Sequence, residues 1–114
     1  MQPIQVSYRG LDPSPALSEL IQTETEHLQR LNHRIHSLRV VVAAPPHHQR
    51  HGSPFRVRVE LTIPGAELVV DGDHDVDAYQ ATRHAFDTLR RQLTTIQERR
   101  QAKQRVHAAG VRAR

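Results

Sequence analysis

The sequence predicts an α+β fold in which a four-stranded, mainly antiparallel sheet carries two helices on one face, in the order β-α-β-β-β-α. Four short segments are rich in alternating or β-branched residues, and two longer segments each carry one apolar stripe. Turns that contain Pro or Gly separate most of these segments. The 114 residues suffice for one hydrophobic core, for which two packed layers of helix and sheet are the usual solution.

The first predicted strand alternates three apolar residues with polar ones, which is typical of a strand with one buried face. These residues are Ile4, Val6 and Tyr8. Ser14 can then cap a helix whose first position is taken by Pro15, because both residue types favour a helix N-terminus. The helix should end near Asn32, and its apolar stripe is interrupted once, at Glu24 and Thr25. The stripe consists of Leu17, Leu20, Ile21, Leu28 and Leu31.

Three further strands are predicted from the middle of the chain. Residues 34–44 are rich in β-branched side chains and end at a Pro-Pro pair. In residues 55–63 apolar side chains alternate with Arg, Glu and Thr, which indicates one buried and one polar face. Pro64-Gly65 predicts a tight turn into a partner strand over residues 67–70, so that the last two strands form a hairpin. The helix between the first two strands permits them to be parallel.

Residues 71–77 (DGDHDVD) predict an acidic turn before the second helix. Their alternating Asp residues resemble a calcium-binding loop, in which oxygen ligands surround the cation. The pattern lacks the Gly of such a loop, because Val76 stands there, and Thr82 occupies the place of its final Glu. We therefore interpret the segment as an acidic entrance that complements the helix dipole.

The second helix is predicted from apolar residues that recur at intervals of three and four over about five turns. They are Val76, Tyr79, Thr82, Phe86, Leu89, Leu93 and Ile96. This periodicity is lost near the end of the chain. The sequence therefore predicts one domain over residues 1–104 and a basic, disordered tail over residues 105–114.

Positive charge is concentrated in the last third of the chain. Residues 76–114 contain eight Arg, one Lys and three acids, whereas residues 1–75 contain seven Arg and nine acids. This asymmetry indicates a polyanionic partner, most often nucleic acid, or else a solvated Arg-rich helix without a partner. No apolar stretch is long enough to cross a bilayer and no secretory signal is present, so we expect no membrane partner.

Several classes of chemistry lack support in the sequence. The absence of Cys excludes disulfides, thiolate metal sites and cysteine nucleophiles. His47, His48 and His51 lie in a Pro-flanked loop without nearby carboxylates, which predicts a solvated loop and not a metal site. No nucleophile elbow, phosphate loop or zinc-binding helix motif occurs. We therefore expect no enzymatic activity, no cofactor and no small-molecule substrate.

The second helix is the strongest candidate for a binding surface. Its apolar stripe should face the sheet, which leaves its basic side chains in water, and guanidinium groups bind phosphate through a planar fork of donors. The polar strand face offers Arg56 and Arg58 as a second, weaker candidate surface. It has no aromatic platform for base stacking, so the sequence favours recognition of folded RNA by shape and phosphate.

Short segments spread over roughly residues 1–100 resemble the ribosome hibernation-promoting factor and ribosome-associated inhibitor family, also called the sigma-54 modulation protein family. Their order and spacing carry the resemblance. They are Met1-Gln2, Ala16-Leu17, Glu19, Arg34-Ile35, Val40-Val41, Gly65, Glu67, Tyr79, Ala81, Asp87, Leu89 and Arg91-Gln92-Leu93.

The resemblance implies a cytoplasmic, bacterial factor that binds the small ribosomal subunit and its rRNA in the mRNA/tRNA channel. Such a factor silences translation by occlusion under stress or in stationary phase, and the chain resembles the short form. Basic residues of both helices would contact rRNA, although only Arg34 and Arg91 match the family position by position. Family members carry Lys where this chain has Glu24 and His27.

Charge and resemblance together predict an RNA-binding site, which comprises Arg34, Arg83, Arg90, Arg91, Arg99, Arg100 and Lys103. Changing Arg90, Arg91, Arg99 and Arg100 together to Glu should leave folding nearly intact and reduce ribosome affinity steeply. We expect the free protein to be a monomer. The alternative hypothesis is a general RNA- or protein-interaction module of the same fold that does not block translation.

Overall fold

Six elements follow one another as strand, helix, strand, strand, strand and helix, which confirms the predicted order. The structure, a computed structural model, describes residues 4–46 and 53–112, and the side chains of these residues except 73–74 and 106–112. Within the predicted histidine-rich loop over residues 45–54, residues 47–52 lie outside the described residues. The elements are β1 (Ile4–Arg9), α1 (Pro15–Leu31), β2 (Ser37–Ala43), β3 (Phe55–Ile63), β4 (Ala66–Asp75) and α2 (Ala78–Arg112).

The four strands form one mixed sheet in the order β1-β2-β3-β4. β1 and β2 are parallel, because α1 carries the chain back across the sheet between them. The other two pairs are antiparallel, as predicted. The β3–β4 turn has Gly65 at φ +79, a value that the third position of a type II turn requires and that glycine adopts without strain.

The core lies between the sheet and both helices, which pack on the same face. Val40, Val57 and Val59 point inward from the central strands and are fully buried. α1 contributes Ile21, and α2 contributes Phe86 as its largest buried side chain. Burial of each large apolar side chain contributes about 1.5–3 kcal/mol, so this single interface holds both helices against the sheet.

The ends of α1 agree with the prediction, but its buried apolar stripe is shorter than predicted. Ser14 Oγ accepts a hydrogen bond from the Leu17 N–H at 3.3 Å, and Asn32 caps the C-terminus. In the polar gap Thr25 is buried, and its hydroxyl is satisfied by donation to the carbonyl of residue 21 at 2.7 Å. Leu31 is 40% exposed, so its predicted place in the stripe is wrong, because the buried residues of α1 end at Leu28.

The buried stripe of α2 begins later than predicted, because the helix itself begins only at Ala78, after Val76. Val76 and Tyr79 are 59% and 40% exposed, so their assignment to the buried stripe is wrong. The buried positions there are Ala81 and Ala85 together with Thr82. The prediction favoured large apolar side chains, whereas small ones let the backbone of the helix approach the sheet closely.

The prediction of an acidic turn over residues 71–77 is also wrong, because β4 continues through Asp75. Asp71 pairs with Arg58 in the antiparallel register, and opposite charges across a strand pair stabilise the extended backbone. β2 begins only at Ser37, later than the predicted residue 34. α2 runs without a break to Arg112, past the end of its apolar stripe. The predicted boundary between domain and tail at residue 105 stays a prediction.

Candidate nucleic-acid interface

The outer surface of α2 carries most of the basic side chains predicted to bind RNA. Phe86, Leu89 and Leu93 anchor the first half of the helix on the sheet. At a rise of about 1.5 Å per residue the whole helix is roughly 50 Å long, and the longest dimension of the molecule is 66 Å. The second half of α2 therefore extends beyond its anchor and presents charged residues to solvent.

Arg83 and Arg90 lie on the side of α2 that faces α1. The two helices border an open groove of ≈570 Å³, which we call the α1–α2 groove. Its charged and titratable lining residues are Glu24, His27, Arg83, His84, Asp87 and Arg90. At the α1 edge of this groove, His27 Nδ1 is 3.4 Å from Glu24 Oε2. The groove therefore combines groups of both charges with two imidazoles.

Asp87 holds two of the predicted RNA-binding arginines. One of its carboxylate oxygens accepts a hydrogen bond from Arg90, and the other accepts one from Arg91. Arg91 is nevertheless 75% exposed and Arg90 48% exposed. Exposed pairs of this kind contribute about 0–1 kcal/mol, so a phosphate can compete with Asp87 for either guanidinium.

Two neighbouring arginines near the middle of α2 differ in their surroundings. Arg99 borders, together with Arg91 and Leu68 of β4, a shallow depression between α2 and β4. Arg100 instead donates a hydrogen bond from Nη2 to the carbonyl oxygen of Pro64 at 2.9 Å. This contact connects α2 to the β3–β4 turn, so the Arg100 guanidinium is partly engaged within the protein.

The remaining predicted site residues are Arg34 and Lys103. Arg34 is exposed in the turn between α1 and β2, where its backbone N–H donates to Asn32 Oδ1 at 2.7 Å. Lys103 is exposed on the distal part of α2. The structure brings predicted arginines of α2 together on two sides of the helix, and neither group includes Arg34 or Lys103. RNA binding by all seven residues stays a prediction.

The face of the sheet that points away from the helices, the open sheet face, carries paired charges. Its polar residues include Gln5, Arg39, Arg56, Arg58, Glu60 and Asp71. Arg58 Nε lies 2.6 Å from Glu60 Oε2, and Arg58 Nη1 lies 2.8 Å from Asp71 Oδ2. Arg56 reaches the other oxygen of Asp71 at 3.2 Å, and Arg39 lies 3.8 Å from Glu60. Each of these arginines therefore already has a carboxylate partner.

The pairing also changes protonation equilibria on the open sheet face. Hydrogen bonds to Glu60 and then to Asp71 raise the pKa of the Arg58 guanidinium. Partial burial acts to raise the pKa of the Asp71 carboxyl, but hydrogen bonds from Arg56 and Arg58 outweigh it and leave that pKa below its usual value. The suggestion that Arg56 and Arg58 form a second RNA surface stays a prediction, and a phosphate would have to displace these carboxylates.

Sequence reasoning missed the α1–α2 groove. His27 and His84 each precede a buried residue of a different helix, Leu28 and Ala85, which places both histidines at the edge of an apolar stripe. Because both helices pack on the same face of the sheet, such edges can border one another. That signal was available, but choosing which edges meet requires the packing of the two helices.

The chemistry available on these surfaces is the binding of anions. Among the side chains that the structure describes, no three His, Cys, Asp or Glu are placed to hold a metal ion together. No helix in the described part of the chain has the apolar length needed to span a membrane. Exposed guanidinium groups can donate paired hydrogen bonds to phosphate oxygens, which is how arginine recognises nucleic-acid backbones.

Comparison with known proteins agrees with this fold. A structure described as a ribosomal subunit interface protein from Coxiella burnetii is similar with a TM-score of 0.70 and 21% identity, over 83% of this chain and 97% of that one. The N-terminal domain of Thermus thermophilus Protein Y is similar with a TM-score of 0.70 and 21% identity, over 84% and 99%. A search of curated proteins gives no match. Residues 4–101 match the model of the family described as Sigma 54 modulation protein / S30EA ribosomal protein, and the chain therefore belongs to that family.

Proposed function

We propose that the protein is a ribosome hibernation factor that binds the small ribosomal subunit in the mRNA/tRNA channel and silences translation under stress or in stationary phase. The observation that carries this proposal is the family match over residues 4–101. The match includes the whole sheet, all of α1 and the part of α2 that packs on the sheet. The name of the similar Coxiella burnetii structure, a ribosomal subunit interface protein, supports the same assignment.

The physical basis of the proposal is occlusion by a rigid cationic body. The buried side chains of α2 fix the helix on the sheet, so its exposed arginines are held in place before any partner arrives. Binding to a channel lined by rRNA phosphates then costs little ordering of the protein backbone. Released counterions supply much of the affinity, so binding should weaken steeply with salt.

The proposed contacts are the seven predicted residues, which are Arg34, Arg83, Arg90, Arg91, Arg99, Arg100 and Lys103. No covalent chemistry is required of them, because blocking the channel is sufficient to stop translation. The proposal thus describes a non-enzymatic, cytoplasmic factor that is monomeric when free.

The test uses purified small subunits and a reconstituted translation reaction. Cosedimentation of the protein with small subunits at about 100 mM salt, and its loss at several-fold higher salt, is the expected binding result. Addition of the protein in slight excess over ribosomes should then inhibit translation of a reporter mRNA. Prior loading of the ribosomes with mRNA and initiator tRNA should reduce that inhibition, because the same channel is occupied.

The outcomes separate the proposal from a general interaction module of the same fold. Binding to small subunits without inhibition of translation would contradict channel occlusion. Binding to unrelated folded RNA with the same affinity as to small subunits would indicate a general RNA-binding module. If the protein does not sediment with ribosomes at low salt, the proposal is wrong.

A further inference from the structure

The α1–α2 groove is nearly neutral when its histidines are neutral. Arg83 and Arg90 contribute two positive charges, and Glu24 and Asp87 contribute two negative charges. The remaining lining residue besides the histidines is the uncharged Gln80. With both imidazoles neutral, this part of the interface therefore offers an approaching phosphate less net attraction than the exposed arginines elsewhere on α2.

Both acids of the groove are already engaged by basic groups of their own helix. Glu24 Oε2 lies 3.4 Å from His27 Nδ1, and Asp87 accepts hydrogen bonds from Arg90 and from the neighbouring Arg91. His84, in contrast, has no carboxylate within ion-pair distance among the described residues, and it is exposed. Protonation of the two imidazoles would change the net charge of the groove from about zero to positive.

We propose that the α1–α2 groove is a proton-gated phosphate site, in which His27 and His84 become cationic ligands of RNA phosphates as the pH falls. The inference rests on the proposed function and assigns a regulation to the same surface. Imidazole side chains as a class change charge between about pH 5 and 8, within the range of cellular acidification. Protonation of both histidines adds two positive charges to a groove in which the other charges cancel.

The direction of the effect follows from linkage. Phosphodiester groups stay anionic over this range, and a nearby phosphate favours the protonated imidazole over the neutral one. The complex therefore takes up protons when it forms, and affinity rises as the pH falls. Two additional charge-assisted hydrogen bonds to phosphate correspond to about a tenfold rise in affinity between pH 7.5 and 6.0.

The experiment measures the affinity of the fluorescently labelled full chain for purified small ribosomal subunits at pH 7.5 and 6.0, at constant ionic strength. Wild type is compared with His27→Gln/His84→Gln and with the control His33→Gln, which changes an exposed histidine outside the groove. Wild type and the control should gain about tenfold in affinity on acidification. The double Gln variant should gain less than about twofold over the same change in pH.

A gain-of-function variant separates charge from structure. His27→Lys/His84→Lys carries permanent positive charges, so it should bind at pH 7.5 as tightly as wild type does at pH 6.0, with little further change. Circular dichroism checks that each variant is folded.

Three results would overturn the inference. They are pH-independent binding of wild type, an equal pH response of wild type and the double Gln variant, and no increase in affinity for the Lys variant at pH 7.5. Each of these leaves the proposed function in place as long as wild type binds. Absence of wild-type binding at both pH values would overturn the proposed function and the inference with it.

Discussion

The open sheet face and the outer side of α2 both carry several arginines, but they differ in how available these are. On the sheet, Arg58 contacts two carboxylates and Arg56 and Arg39 contact one each. On α2, Arg83 and Arg99 are exposed and have no carboxylate within ion-pair distance among the described residues. The same residue type therefore forms a surface on which each arginine has a carboxylate partner in one place, and a surface on which some arginines have none in the other.

The number of arginines on a surface therefore overstates its capacity to bind RNA. A phosphate that approaches α2 displaces water and mobile salt ions, and the released ions favour binding. A phosphate that approaches the open sheet face must also displace Glu60 or Asp71, which leaves those carboxylates without their partners. We therefore expect the helix face, and not the sheet face, to carry most of the affinity for polyanions.

The largest expected effect comes from neutralising the α2 surface. Changing Arg90, Arg91 and Arg99 together to Gln should lower affinity for small ribosomal subunits by about 100-fold, because several charge-assisted phosphate contacts are lost. The slope of log affinity against log salt should fall by about 2 for the same reason. Arg100 is left unchanged because it bonds to Pro64. Equilibrium binding over a salt series measures both quantities.

The matched control removes the same number of charges from the open sheet face. Arg39, Arg56 and Arg58 changed together to Gln should reduce affinity by less than about threefold, since exposed charges act weakly beyond a Debye length of about 8 Å. Loss of their partners should lower the thermal midpoint, so binding is measured well below it. A loss of affinity equal to that of the α2 variant would show that RNA also binds the open sheet face.

A smaller effect should separate two adjacent residues of α2. Arg99→Ala removes an exposed guanidinium, whereas Arg100→Ala removes one that holds the β3–β4 turn. We expect Arg99→Ala to lower ribosome affinity by about tenfold and Arg100→Ala by less than about threefold. The Arg100 variant should instead increase proteolysis or hydrogen exchange near residues 64–65. The reverse ranking of affinities would show that Arg100 contributes more to RNA binding than Arg99 despite its hydrogen bond to Pro64.

The smallest effect concerns stability and pH on the open sheet face. The pKa of Asp71 is lowered in the folded protein, so its carboxylate contributes stability above the unfolded value of about 3.9. That contribution is lost as the pH falls through the lower folded pKa. Asp71→Asn should therefore cost less than about 1 kcal/mol of unfolding free energy at pH 7, and the difference from wild type should shrink below about pH 4. Urea denaturation at several pH values measures it, and a difference that grows on acidification would contradict the pairing.

The sequence-based prediction was wrong at the start of α2 and at the end of β4. Tyr79 fits the helical spacing but is exposed, because Ala81 and Ala85 provide the closer contact with the sheet, and Val76 lies before α2 begins at Ala78. Likewise, residues 71–75 look like a polar turn in isolation. They extend β4 because the opposite strand supplies arginine partners, which local composition does not reveal.

The order of the six elements, the cap of α1 at Ser14 and the turn at Pro64-Gly65 could all be predicted from the sequence, since each depends on residues only a few positions apart. Contacts between charged groups of distant segments, in contrast, depend on the tertiary structure. The strand register places Asp71 beside Arg58, and the packing of the two helices places His27 and His84 in the same groove. The β3–β4 turn likewise contacts Arg100. Helical periodicity and capping depend on neighbouring residues. A contact between charged groups of distant segments depends on how those segments pack against one another.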